Sequence, residues 1–400
     1  MFENLCLLAP DPILGLMAEF RQDPRTRKID LGVGVYQDES GCTPIMRAVH
    51  EAEAQLLRTE TTKTYQGIAG DPLYNERMSA LLLGQAHPVL VENRCRGVQT
   101  PGGCGALRIG AELIRRARPD ARVWVSTPTW ANHIPLIGGA GLQILEYPYY
   151  DAARRAIDFD AMMSTLAGVG AGDIVLLHGC CHNPTGADLD LDQWRAIAGL
   201  ALKNGFTPFV DTAYQGLGDG IDQDAEGLRL LSAVVPECIV AASCSKNFGL
   251  YRERAGAVFF IAANPAAADA VASQAMASAR QIYSMPPAHG AAIVATILGD
   301  DGLRSRWQAE LGEVRDRINA MRVLLAERLA DNAAGIDFSF IPRQKGMFSF
   351  LGISSAQLER LREEFGVYMV GSTRVNLAGI NHGNIDHLAA ALHAVLGARG

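Results

Sequence analysis

The chain has 400 residues, enough for a full core in two domains or in one large domain with a smaller companion. With 48% hydrophobic and 20% charged residues and a formal net charge of -7, nucleic acid and anionic membrane surfaces are excluded as the main partners, and any anion site must be a local gathering of Arg and Lys. No apolar run reaches the length of a membrane span, MFENLCLLAPDPILGL lacks the basic flank and cleavage site of a signal peptide, and eight scattered cysteines suit a reducing, cytoplasmic location.

Residues 1–45 carry no sheet pattern of their own and are expected to pack with the C-terminal part of the chain. GVGVYQ (32–37) is not a dinucleotide fingerprint, because the third glycine is missing and no βαβ unit surrounds it. TPGGCGALRIGAELI (100–114) reads as the start of a helix with apolar positions at Ala106, Leu107, Gly110, Leu113 and Ile114. Backbone N–H groups at such a start can hold a phosphate, although many helices begin this way with no ligand. Six short apolar runs follow: RVWVS (122–126), LQILEY (142–147), DIVLLH (173–178), TPFVD (207–211), CIVAAS (238–243) and GAVFFI (256–261). Helical spacing lies between several of them, as at Trp194, Ile197, Ala198 and Ala201. This alternation predicts an α/β domain with a mostly parallel sheet buried on both faces. Near residue 300 the texture changes. RSRWQAELGEVRDRINAMRVLLAERLA reads as a long amphipathic helix, and FSFIPRQKGMFSFLG and YMVGSTRVNLAGI as strands of a smaller α+β unit. The expected division is 46–300 for the large domain and 301–400, with 1–45, for the small one.

Open α/β sheets bind ligands beyond the carboxyl ends of their strands. The polar residues there are Asp211, Tyr214, Asn183, Ser243, Ser245, Lys246 and Arg254. Singly, each has an ordinary reading: Asp211 as a helix cap, Asn183-Pro184-Thr185-Gly186 as a plain turn, Lys246 as a solvated lysine. Together they suit an aldehyde-bearing phosphate cofactor. An amine would form a Schiff base, Ser and Arg would bind phosphate, Asp would pair with a pyridinium nitrogen, and Tyr and Asn would bind a ring oxygen. That describes pyridoxal 5'-phosphate. A cofactor-free Schiff-base aldolase would need an eightfold βα pattern, and a regulator would carry a DNA-binding arm; neither pattern is evident.

LGVGVYQDESG, TTKTYQGIAG, TPGGCGALR, VWVSTPTWANH, HGCCHNPTG, DTAYQG, SCSKNFGLYRERAGA, YSMPPAHGA, GMFSF and LREEFGVYMVGSTRVNLAGI resemble, in order, the motifs of class I aminotransferases of the aspartate/aromatic branch. The resemblance spans essentially the whole chain. It implies the fold-type I architecture of pyridoxal-phosphate transferases and a homodimer with shared active sites. By the same resemblance Lys246 is the Schiff-base lysine and general base, Asp211 the pyridinium partner, and Tyr214 and Asn183 the ligands of the ring oxygen. Trp130 stacks on the ring. Gly103, Cys104, Ser243, Ser245 and Arg254 bind phosphate, with Tyr65 from the neighbouring subunit. Arg374 and Gly34 fall on substrate positions, Arg374 as the α-carboxylate clamp, and Arg280 reaches across the dimer to a side-chain carboxylate. On this reading Asn183 is the functional residue of HGCCHNPTG, while Cys180, Cys181 and His182 pack beneath it and hold no metal.

The chain departs from the family pattern at Cys104, where Thr or Ser is usual, and at Met285, where Asn or Ser is usual. Thr64 and Gln37 also differ from strict aspartate enzymes. Fewer polar groups at the side-chain end of the pocket cost a dicarboxylate more than an aromatic ring. The expected reaction therefore transfers the amino group of phenylalanine, tyrosine or tryptophan, and of aspartate or glutamate, to 2-oxoglutarate. Strict aspartate specificity is the alternative.

Overall fold

The computed structural model describes residues 1–8, 12–331 and 335–397. By its internal contacts the chain forms two compact units, Pro44–Arg317 and Met1–Thr43 with Ile318–Gly400. The boundary between Arg317 and Ile318 falls inside one continuous helix, Asp301–Arg328. Trp307 and Leu311 on that helix are core residues of the larger unit, and Met321 and Leu325 of the smaller. Among the described residues no helix is long and apolar enough to cross a membrane.

The larger unit is built on a sheet that, among the described residues, has seven strands: β1 (Cys95–Pro101), β2 (Arg122–Thr127), β3 (Gln143–Pro148), β4 (Ile174–His178), β5 (Thr207–Thr212), β6 (Cys238–Ser243) and β7 (Ala255–Ile261). Their order is β1-β7-β6-β5-β4-β2-β3. Neighbours from β6 to β3 run parallel, and β7 lies antiparallel to both β6 and β1. The six apolar runs correspond to β2–β7. β1 (CRGVQTP) has little apolar character and was not foreseen; it is an edge strand whose pairing to β7 supplies what its sequence lacks.

Helix α1 (Gly102–Ala117) buries Ala106, Leu107, Gly110, Leu113 and Ile114 against the sheet. Helix α2 (Leu191–Asn204) starts at a reciprocal cap between Asp190 and Gln193, stops at left-handed Gly205, and buries Trp194, Ile197, Ala198 and Ala201. In the smaller unit Ile29–Asp30 pairs in parallel with Val367–Tyr368, so the N-terminal residues do contribute a short strand. Two further strands, β8 (Phe348–Phe350) and β9 (Arg374–Asn376), pair antiparallel. Of FSFIPRQKGMFSFLG only β8 is a strand; Ile341–Arg343 is a 3-10 turn.

Gly110 lets α1 approach β5 closely. A Cβ there would lie 2.6 Å from Phe209 Cζ, and Phe209 is wholly buried. Helix propensity favours Gly110→Ala by about 1 kcal/mol. Overpacking a closed core costs about 1–3 kcal/mol and opposes it. The expected outcome is net destabilisation in urea unfolding; a stabilised variant would show that Phe209 yields freely.

Candidate active site

A cavity opens beyond the carboxyl ends of β4, β5 and β6. Gly103, Cys104, Trp130, Asn183, Asp211, Tyr214, Ser243, Ser245, Lys246 and Arg254 all line it, with Leu107, His178 and Ala213. Three parallel strands and the loops that follow them thus deliver an amide, an acid and an amine to one place.

At one end lies a cup of donors. Helix α1 begins at Gly102, so the N–H groups of its first turn have no intrahelical partner. Ser243 Oγ is 3.1 Å from Ser245 Oγ, and Arg254 Nη1 is 3.4 Å from Ser245 Oγ and donates to Tyr251 O at 2.9 Å. Gly102 has φ +70°, and a Cβ on it would meet Arg254 Nη2 at 2.4 Å, so only glycine leaves room for the guanidinium. Cys104 lies at the same end and receives a long contact from Asn132 Nδ2 at 3.8 Å. Helix dipole, hydroxyls and guanidinium make this a site for a compact anion.

At the other end Asp211 stands near the end of β5. Its side chain is 12% exposed and its Oδ2 is 3.0 Å from His133 Nε2. A carboxylate only accepts, so the imidazole N–H donates. The Thr129 hydroxyl lies between His133 Nδ1 (2.8 Å) and His178 Nε2 (3.2 Å). Burial alone would push the Asp211 carboxyl up. The His133 hydrogen bond and the positive charge of neighbouring groups, Lys246 among them, outweigh it and hold Asp211 below the ordinary carboxylate range.

Asn183 Nδ2 donates to Tyr214 Oη at 3.4 Å, and Lys246 Nζ sits 5.1 Å from the Tyr214 ring centroid. The turn bearing Asn183 is held by Asp188, which accepts from Cys181 N at 2.6 Å and His182 N at 2.8 Å. His182 stacks on Tyr149 at 4.1 Å and meets Ser126 Oγ at 3.0 Å and Thr185 Oγ1 at 2.9 Å. The segment after Lys246 is anchored by Trp307, whose indole N–H donates to Asn247 O at 2.7 Å while its ring stacks on Phe248 at 4.4 Å.

Cys180, Cys181 and His182 are buried beneath the turn. The sulfurs of Cys180 and Cys181 and an Asp224 oxygen lie within 4.8 Å of one another, a grouping that joins residues distant in sequence. The Asp224 carboxylate already accepts from the N–H groups of Gly216 (2.8 Å), Gly218 (2.9 Å) and Asp219 (2.8 Å). The hydrogen bond between the two thiols, then burial, holds the Cys181 thiol well above its ordinary value. This chemistry suits a loop anchor better than a thiolate metal site.

Four candidate residues lie elsewhere. Tyr65, which is 92% exposed, lines an open groove with Arg280, Tyr283 and Met285. Arg280 bonds Ser284 Oγ. In the smaller unit Arg374 Nη2 donates to Gly32 O at 2.6 Å, and its guanidinium lies 4.2 Å from the Phe348 ring centroid. A Cβ on Gly34 would meet that ring at 3.0 Å. Sequence reasoning missed His133, Thr129 and His178. The signal available was slight: His133 follows Trp130 by three residues, and His178 ends an apolar run.

A family model described as Aminotransferase class I and II matches residues 26–392. The chain belongs to this family. It is 51% identical over 393 residues to an aromatic-amino-acid aminotransferase of Paracoccus denitrificans, covering 98% of this chain and 99% of that one. It is 50% identical over 396 residues to an aspartate aminotransferase of Salmonella typhi, covering 99% of this chain and 100% of the other. The crystal structure of an aromatic-amino-acid aminotransferase from Burkholderia pseudomallei, covalently bound to pyridoxal phosphate, superposes with a TM-score of 0.96 at 45% identity, over 99% of both chains. The protein is thus an aminotransferase, and the mostly parallel sheet expected from its apolar runs is the architecture of its family.

The aminotransferase should respond to acid through its buried histidines. Burial, then the neighbouring His178 and His133, hold His182 well below the ordinary histidine value of 6.5. Burial and His133 push His178 down to about 3. Below pH 6.5 the unfolded chain binds protons that the folded chain refuses, so this stability is complete above 6.5 and is lost as pH falls. For His182 the expected slope is about 1.4 kcal/mol per pH unit. Urea unfolding should show it, and His182→Asn should flatten it; a wild-type stability unchanged between neutral pH and pH 5 contradicts the assignment.

Proposed function

We propose that this aminotransferase moves the amino group of aromatic amino acids, and of aspartate or glutamate, to 2-oxoglutarate in two alternating half-reactions with pyridoxal 5'-phosphate, as a cytoplasmic homodimer. The observation that carries the reading is the convergence of Lys246, Asp211, the Asn183–Tyr214 pair and the Ser243–Ser245–Arg254 cup on one cavity. These residues fit the cofactor. The cup has the donors a phosphate needs, and the space beside Gly102 that a Cβ would fill is taken by the Arg254 guanidinium. The ionised, sparsely exposed Asp211 suits a cationic ring nitrogen. Asn183 and Tyr214 offer donors to a ring oxygen, and Trp130 offers a face.

When bound, the cofactor supplies an aldehyde that carries the amino group and a ring that withdraws electrons from the substrate's α-carbon. Lys246 Nζ would take the α-proton from one face and deliver it to the cofactor's former aldehyde carbon, across the transferred nitrogen. Asp211, held charged by His133, would keep a proton on the ring nitrogen. Tyr214 and Asn183 would donate to the ring oxygen and favour its charged form. Arg374 pairs with the substrate α-carboxylate, a planar match for a guanidinium. Arg280 and Tyr65 are read as serving the neighbouring subunit's site. Support comes from their exposed groove, whose lining includes none of the residues that line the cofactor cavity of their own chain among the described residues. The large domain, 46–300, is read as the cofactor-binding part, and 1–45 with 301–400 as the small domain.

Relatives named for both substrate classes resemble the chain almost equally, so side chains carry the choice. Met285 lines the groove beside Arg280. It is polarizable, fills irregular space, favours aromatic contacts and gives the guanidinium no strong acceptor. Strict aspartate specificity would be better served by a polar residue there.

Lys246→Ala should lose about 10²–10⁴-fold or more in turnover, because one amine is both anchor and base. Mixed with Arg280→Ala protein after subunit exchange, it should regain part of the aspartate activity in heterodimers with one intact site. Turnover by Lys246→Ala alone, or no recovery in verified heterodimers, counts against the lysine role and the shared site respectively.

Arg280→Ala should lower kcat/KM for aspartate about a hundredfold or more, since stranding one partner of a buried charge pair costs about 3–5 kcal/mol. Phenylalanine should lose little, and Met285→Asn should shift preference toward aspartate. Single-turnover half-reactions measure both; equal losses for the two substrates would remove the distal-carboxylate role of Arg280.

A further inference from the structure

Arg322 is a charged side chain 1% exposed, on the Asp301–Arg328 helix, and no step above uses it. Its three nitrogens all donate into one segment. Nη2 reaches Phe348 O at 2.6 Å, Gly346 O at 2.7 Å and Lys345 O at 3.0 Å. Nη1 reaches Ser349 Oγ at 2.8 Å and Ile341 O at 3.0 Å, and Nε reaches Gly346 O at 3.3 Å. A turn with little regular structure is thus pinned from within the core by a single planar fork.

The pinned segment ends in β8, whose Phe348 ring lies beneath the Arg374 guanidinium. β8 also pairs with β9, which carries Arg374, with Phe350 opposite Arg374 and Phe348 opposite Asn376. Thr373, just before Arg374, has φ +64°, a conformation that its surroundings must hold. Gly32 O also accepts from Arg374 Nη2. The guanidinium therefore takes its direction from the Phe348 ring, and Phe348 takes its position from Arg322.

We infer that Arg322 is a positioning residue for the substrate's α-carboxylate: by fixing the Phe348 carbonyl it fixes the ring on which Arg374 rests. The inference rests on the reading of Arg374 as the carboxylate clamp. A fork is suited to the task because its donors are rigid and coplanar, whereas an ammonium on a flexible stem presents a point charge.

The test uses the holoenzyme and two probes: 3-phenylpropanoate, which has the carboxylate and no amine, and 2-phenylethylamine, which has the amine and no carboxylate. Arg322→Met should raise the Kd of 3-phenylpropanoate at least tenfold and change the half-reaction rate with 2-phenylethylamine less than twofold. Arg322→Lys, which retains charge and donors and serves if the Met variant does not fold, should lie between. Added to Arg374→Ala, Arg322→Met should cause little further loss for 3-phenylpropanoate. Equal losses for both probes in a folded variant would make Arg322 a general stability residue and overturn the inference. If Arg374→Ala weakens 3-phenylpropanoate while Arg322→Met and Arg322→Lys leave its Kd unchanged, the inference alone fails. If Arg374→Ala itself leaves that Kd unchanged, the reading of Arg374 fails and the inference with it.

Discussion

The site depends on keeping one carboxylate ionised where little water reaches it. Asp211 exposes 12% of its side chain, and burial works against its charge. An uncompensated carboxylate in such surroundings would take up a proton and could no longer hold a cation. The compensation is local and directional: His133 donates to it, and Thr129 links His133 to His178. β2, β4 and β5, with the loops that follow them, must all be in register for these groups to meet. The parallel sheet is the frame that makes one buried charge tolerable.

The donor cup of the same cavity gathers positive groups in a protein of net negative charge. The positive field is assembled from short-range parts: the free N–H groups at the start of α1, two serine hydroxyls and Arg254. Left-handed Gly102 and left-handed Arg254 meet there, and the missing Cβ of the first is the space used by the second. Cys104 sits among these donors with a thiol, a weak hydrogen-bonding group. Anion binding at this cup therefore leans on backbone and arginine more than on the residue-104 side chain.

The two arginines proposed to recognise substrate lie in places of different physical character. Arg374 is buried, held by Gly32 O and by the face of Phe348, and so is fixed in direction. Arg280 lies in an open groove with Tyr65 and Met285. A fixed arginine suits the α-carboxylate that every amino acid shares. An arginine at a surface groove, beside a flexible methionine, suits the end of the substrate that varies. Tolerance of both a ring and a carboxylate asks for that asymmetry.

Much of this was legible in the sequence because the chemistry is carried by short local patterns. Lys246 with its flanking serines, Asp211 at a strand end, Asn183 in a Pro-Gly turn and the glycine-rich start of α1 are each contained in a few residues. Six of the seven strands coincide with short apolar runs, and the inner ones are buried almost throughout because a strand covered on both faces must be apolar. What the sequence alone could not supply is what depends on distant partners. β1 exists through its pairing with β7, more than 150 residues away, not through its own composition. The short strand Ile29–Asp30 needs Val367–Tyr368, and His133 becomes the partner of Asp211 only when the sheet brings the ends of β2 and β5, with β4 between them, to the same edge. Arg322 looks like one more charge on an amphipathic helix until the fold buries it and turns its fork onto Phe348. Residue types set which chemistry is available; tertiary structure decides which charges lose their water, and therefore which partners they must have.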